Sequence, residues 1–176
     1  AGWTKAGLNG TIYMRDNGNG GQVATYTTGS GGVNGGSSII AMGQGFWVKA
    51  DNSGTPSLIA TEDVKLPGAS ATFFRKSSPT DLLRIALVQG ARRDEALIHF
   101  RENATETYDK GDALKLKNST VFNLSSLLED ERQLAINSLP SIGCSRTIKL
   151  NLSEVTPGGY SLEFSELETL NMDGTS

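Results

Sequence analysis

The segment Phe46-Trp47-Val48-Lys49-Ala50 alternates its side chains with a period of two and is closed on both sides by turn-forming residues. Gln44-Gly45 leads into it, and Asp51-Asn52-Ser53-Gly54 follows with residues that tolerate turn and left-handed backbones. A period of two belongs to an extended strand. It sets Phe46, Val48 and Ala50 on one face and Trp47 and Lys49 on the other.

The same signal recurs along the chain. Thr11–Arg15 and Gln22–Thr27 read as strands separated by Asp16-Asn17-Gly18-Asn19-Gly20-Gly21. Short strands are also expected at Val64-Lys65-Leu66, Ala71–Phe74 and Leu134-Ala135-Ile136, with Leu114 and Leu116 alternating in an otherwise polar stretch. Leu82–Val88 and Glu95–Phe100 form a candidate hairpin whose tip carries Arg92 and Arg93 as solvated charges. Thr147–Leu152 and Tyr160–Phe164 alternate cleanly, so Ile148, Leu150, Leu152, Tyr160, Leu162 and Phe164 are expected to face one core. Ser125–Gln133 alone has helical colouring, and it is too short to organise a domain. Many short strands punctuated by turns predict an all-β protein, an antiparallel, jelly-roll-like β-sandwich formed by residues 1–176 as one module.

Glycine is concentrated at the front, with 14 of 21 within residues 1–54, and Gly29–Gly36 forms a loop whose backbone can approach a ligand or a strand closely. Residues 1–60 carry three basic and two acidic side chains, whereas the remainder carries 13 and 17. The net charge of −3 argues against nucleic acid as a partner. No apolar run reaches the ~18 residues that a membrane span needs, so no insertion is expected. Cys144 is the single cysteine and reads as a small buried hydrophobe, with no intrachain disulfide open to it.

Chemistry-bearing patterns are thin. His99 is the sole histidine, and the alternation places it opposite Ala96, Ile98 and Phe100 on what reads as the wetter face. No nucleophile-elbow pattern accompanies a serine, and no pair of acids stands out for glycoside hydrolysis. Asp16 with Asn17 and Asn19, and Asp109 with Asp112, offer oxygen ligands of the kind calcium takes, but at spacings that suit ordinary Asx turns better. No metal and no cofactor is expected. Sequons at Asn9, Asn103, Asn118, Asn123 and Asn151 suit either glycosylation or chance in a chain rich in Asn, Ser and Thr.

Longer phrases carry a resemblance. GWTKAGLNGTIYMRDNGNGGQVATY, AMGQGFWVKA, FFRK at 73–76, LLRIAL at 82–87 and DEALIHF at 94–100 are followed by YDKGDALKL at 108–116, LAINSLP at 134–140, TIKLNL at 147–152 and GGYSLEF at 158–164. In this order they resemble secreted or cell-surface proteins of the Bacteroidetes that use type IX secretion, over nearly the whole chain. Here Trp47 stands where that pattern has a second Phe, and the phrase that precedes GWTK and the strands beyond Asn171 are missing. The resemblance implies a secreted or surface location and an excised part of a larger polypeptide, with neighbouring domains as partners. It brings no catalytic motif.

Together these readings predict a non-catalytic extracellular binding or adhesion module. A structural spacer and a glycan-degrading enzyme are the alternatives. The ligand expected is a polysaccharide or cell-surface glycan, held by Trp47, Trp3, Tyr13, Tyr26, Gln44 and Lys49, because rings stack on sugar C–H faces while polar groups meet the hydroxyls. Trp47 reads either as such an exposed ring or as a core residue.

Overall fold

The computed structural model describes residues 3–65, 79–141, 145–167 and 170. The expected strand at Ala71–Phe74 and the Cys144 thiol lie outside these residues. Strands β1 (Trp3–Ala6) and β6 (Ser57–Ala60) pair as a separate ribbon. A four-stranded sheet takes the order β4 (Gly31–Val33), β3 (Gln22–Thr27), β2 (Leu8–Asp16) and β5 (Phe46–Ala50), all antiparallel. The larger sheet runs β12 (Lys149–Ser153), β10 (Asn123–Leu127), β11 (Gln133–Leu139), β8 (Arg92–Phe100), β7 (Leu82–Gln89) and β13 (Ser161–Ser165), with β9 (Ala113–Leu114) paired to β11. The protein is all-β and sandwich-like, with one sheet strongly curled. Its pairings are antiparallel except β11 with β8, which is parallel over Leu97–Phe100. Among the described residues no helix is long and apolar enough to cross a membrane.

The two sheets meet through Tyr13, Val23 and Val33 on one side and Leu82, Leu97, Ala113 and Ile136 on the other. A second core lies on the opposite face of β8, where Ile85, Leu87, Ala96, Ile98, Phe100 and Leu124 are buried. β8 is therefore buried on both faces. This corrects the wet-face expectation for His99: the alternation is as read, but His99 is only 6 % exposed because the four-stranded sheet covers its side.

Three further expectations change. Ile148, Leu150 and Tyr160 pack against the second core, but Leu152, Leu162 and Phe164 are 42 %, 43 % and 53 % exposed. β12 and β13 are the outermost strands of the larger sheet, so their inward residues have a packing neighbour on one side only. Ser125–Gln133 is strand and turn, not helix: Ser125 and Ser126 are buried in β10, and Glu131 turns the chain at φ 65°. Cross-strand pairing overrides the weak local preference. Val64 ends a 3-10 turn over Glu62–Val64 and does not open a strand. The glycine loop, by contrast, does approach a strand. A Cβ on Gly36 would lie 2.1 Å from the Thr25 carbonyl oxygen, so β4 can close on β3 only with glycine there.

A buried ion pair of the larger sheet is tied to the other layer through Asn34. β11 pairs with β8 from Leu97 onward, and ahead of that point the Asp94 carboxylate fills the place of a strand partner. It accepts from Lys115 Nζ at 2.7 and 2.6 Å, from Asn34 Nδ2 at 2.8 Å and from the Leu124 amide at 2.6 Å. The Asp94 and Lys115 side chains are 0 % and 2 % exposed. Asn34, held at φ 53°, returns the contact by bonding the Val23 carbonyl and, through its Oδ1, the Glu95 amide.

Lys115→Met should leave the Asp94 charge buried without its cation and destabilise the fold by ~3–5 kcal/mol. Chemical denaturation would measure it, and a loss below about 1 kcal/mol would show that the pair is not the clamp described.

Candidate functional site

Strand β5 lies at the edge of its sheet and pairs only with β2. Trp47 stands opposite Tyr13 in the register, so both project from the face that meets the larger sheet. Tyr13 lies on the inner strand and is 3 % exposed, whereas Trp47 lies beyond the cover of the larger sheet and is 50 % exposed. The ring is thus neither a core residue nor on the outer face; it forms a rim.

Beneath that rim is a cavity of about 570 Å³. Its walls are Tyr13, Arg15 and Val23 from β2 and β3, Trp47 to Ala50 from β5, and Leu114, Leu116 and Lys117 from β9 and the residues after it. The period-two pattern places Tyr13 and Arg15 on one face of β2, and Trp47 and Lys49 on one face of β5.

Lys49 is half-buried and donates to the Tyr108 hydroxyl at 3.3 Å, with its ammonium 4.6 Å from that ring's centre. The Arg132 guanidinium sits 4.9 Å from the same ring, so Tyr108 is held by two cations. Arg15 donates to the Gly21 carbonyl at 3.2 Å and to the Ser119 hydroxyl. The Tyr13 hydroxyl is buried and has no hydrogen-bond partner among the described residues. Burial, and then the neighbouring Tyr108, push this phenol above its ordinary pKa; the Leu114 backbone offsets a little of that without ordinary hydrogen-bond geometry.

Of the six residues expected to bind a ligand, Trp47, Tyr13 and Lys49 come together at this cavity. Trp3 lies on β1, where its ring meets Phe46 edge-on at 5.6 Å, on the other side of β5 from Trp47. Tyr26 pairs with Ile12 on β2, one position out of phase with Tyr13, and so lies on the opposite face of that sheet. Gln44 bonds the neighbouring Gly45 carbonyl at 2.8 Å in an exposed turn. Arg15, Leu116 and Lys117 were not singled out from the sequence. Arg15 had a usable signal, two positions from Tyr13 in one strand; Lys117 is brought in only by the tertiary fold.

A second cavity of about 390 Å³ lies between Gln89, Arg92, Lys117–Phe122, Glu154 and Thr156. Its charges are of both signs, and its one aromatic, Phe122, is buried in the core. It offers a ligand no exposed ring.

The other polar cluster is buried. His99 Nδ1 lies 3.1 Å from Ser30 Oγ, a spacing that suits a nucleophile and its base. Ser30 is 0 % exposed, however, and neither cavity includes it or His99. Ser30 also approaches Ser138 Oγ and the Gly111 carbonyl at 3.4 Å each, while Asp112 accepts from the Ser138 and Asp109 amides at 2.7 Å each. These bonds tie β8, β11 and the loop before β9 to the turn before β4. The two carboxylate clusters weighed for calcium make Asx-type bonds: Asp16 accepts from the Gly18 amide and Asp109 from the Gly111 amide. Among the described residues no group of three or more His, Cys, Asp or Glu side chains is placed to hold a metal ion. The sequons at Asn9, Asn118 and Asn123 are buried at 7 %, 6 % and 1 % exposure, so the folded chain does not offer them for glycosylation.

No family model, no curated protein and no solved structure matches this chain.

The buried cluster generates a pH signature. Burial, reinforced by the Arg101 charge, lowers His99 from 6.5 to about 4, so its contribution to stability is present above 6.5 and lost as pH falls towards 4. Burial lifts Asp112 from 3.8 to about 6, so its contribution runs the other way and is lost as pH rises through that window. In His99→Gln the first effect disappears. Relative to wild type the variant should gain stability between about pH 7 and pH 4, by on the order of 3 kcal/mol. A difference between the two proteins that does not change with pH would refute the assignment.

Proposed function

We propose that this protein is a non-catalytic extracellular binding module that holds a polysaccharide or surface glycan in the cavity under Trp47. The observation that carries the reading is the half-exposed indole of Trp47 at the rim of a cavity that Tyr13, Arg15 and Lys49 also line. The indole offers a flat apolar face with a polar N–H at its edge, which is what a sugar ring presents in complementary form. Placing the ring on an edge strand lets a polymer pass across it without threading the protein. The secreted or cell-surface location is part of this proposal and is supported by the sequence resemblance alone. A service as a spacer between neighbouring domains is compatible with the same fold, but it gives no account of the cavity.

Retention of the protein on a panel of insoluble or immobilised polysaccharides, neutral and acidic, tests the reading. Trp47→Ala should weaken retention about tenfold. The variant should remain folded and lose well under the ~3–5 kcal/mol of a fully buried ring. Absence of retention on every member of the panel, or retention unchanged in the variant, would overturn the proposal.

A further inference from the structure

We infer that the sugar taken by the Trp47 cavity is an anionic one, a unit bearing a carboxylate or sulfate on its ring, with Arg15, Lys49 and Lys117 receiving the charge. This inference rests on the glycan-binding reading and narrows it.

The chain as a whole is acidic, with 19 Asp and Glu against 16 Lys and Arg. The cavity reverses that balance: three of its lining residues are cationic and none is acidic. A local excess of positive charge in a protein of net charge −3 does not follow from composition. It draws a negative ligand to this place and not to the surface at large.

The partners of the three cations sharpen the argument. Neither Arg15 nor Lys49 has a carboxylate within ion-pair distance among the described residues: Arg15 bonds the neutral oxygens of Gly21 and Ser119, and Lys49 bonds the Tyr108 hydroxyl and lies over its ring. Lys117 does reach Glu154, at 3.6 Å, but both side chains are more than 60 % exposed, and such pairs are worth little. Their charges are therefore left largely uncompensated around a cavity whose remaining walls, Val23, Leu114 and Leu116, are apolar. Low polarity strengthens an ionic contact made there. The guanidinium of Arg15 can donate in a fork to two oxygens of one carboxylate or sulfate. An apolar ligand or a neutral sugar would leave all three charges unanswered.

The test is binding of the intact chain to three soluble polymers, alginate for the carboxylate, dextran sulfate for the sulfate, and dextran as the neutral control, at low and at raised salt. Expected are binding to one or both acidic polymers well above binding to dextran, weakening as salt rises, and loss in Trp47→Ala. The double variant K49Q/K117Q should bind the acidic polymer about tenfold or more weakly. Equal binding to dextran and to the acidic polymers, insensitive to salt and to K49Q/K117Q, would overturn the charge assignment and leave the glycan reading standing. Acidic-polymer binding that survives Trp47→Ala and the double variant would place the interaction elsewhere and overturn the assignment as well. No binding to any of the three, together with no retention on the wider panel, would remove both readings.

Discussion

The carboxylate of Asp94 is the point on which this architecture turns. Two charges taken fully out of water carry a desolvation cost that only close pairing and complete hydrogen bonding offset. Asp94 has both: Lys115 on its two oxygens, and Asn34 and the Leu124 amide on the remaining lone pairs. These three donors come from the segment after β9, the loop after β4, and β10. The pair thus fixes where the stretch after β9 runs. Because side chains alternate, Lys115 turned inward sends Leu114 and Leu116 to the other side, where they wall the cavity under Trp47. An interaction that joins two sheets also shapes the site.

That dependence explains what the sequence made legible and what it did not. Gln22–Thr27 and Phe46–Ala50 are strands over the very residues expected. The hairpin from Leu82 to Phe100 also forms, but it turns tightly at Gly90, so Arg92 and Arg93 lie in β8 and not at its tip, and Arg93 pairs with Glu95 and Glu163. In each the period of two and the turn residues agree, so local information suffices. Burial is a different quantity. Alternation separates His99 from Ile98 but does not say that a second sheet will cover the histidine. Likewise, it puts Leu162 and Phe164 on the side of Leu87 and Ile85, but not at an uncovered rim. Residues 101–120 read as a polar connection, and the fully buried lysine within them had no signature. Its partner lies 21 positions away in another strand, and a charge of either sign is far more often solvated.

The candidate site was half legible for the same reason. Trp47, Tyr13 and Lys49 follow from two alternating strands that happen to be neighbours. Tyr26 and Trp3 share the composition that nominated them but sit out of phase or on the ribbon formed by β1 and β6. Composition nominates residue types; only phase and register decide which of them meet.

The position of the cavity at a sheet edge carries a last consequence. A ring in the middle of the sandwich would be covered on every side and would contribute its full burial to stability, leaving none of its face for a ligand. On β5 the same ring is half covered, which forgoes part of that stabilisation and leaves the indole face open. The unpartnered Tyr13 hydroxyl and the uncompensated cations beside it are concessions of the same kind. Each would be improved, as far as folding alone is concerned, by a phenylalanine or by a neutral side chain. Departures from what folding favours are spread thinly through most folds, but here three kinds converge on one cavity, while the polar cluster around Asp94 a strand away is fully satisfied. A completed network and an incomplete one thus stand side by side in the same sandwich, and the proposed site lies at the incomplete one.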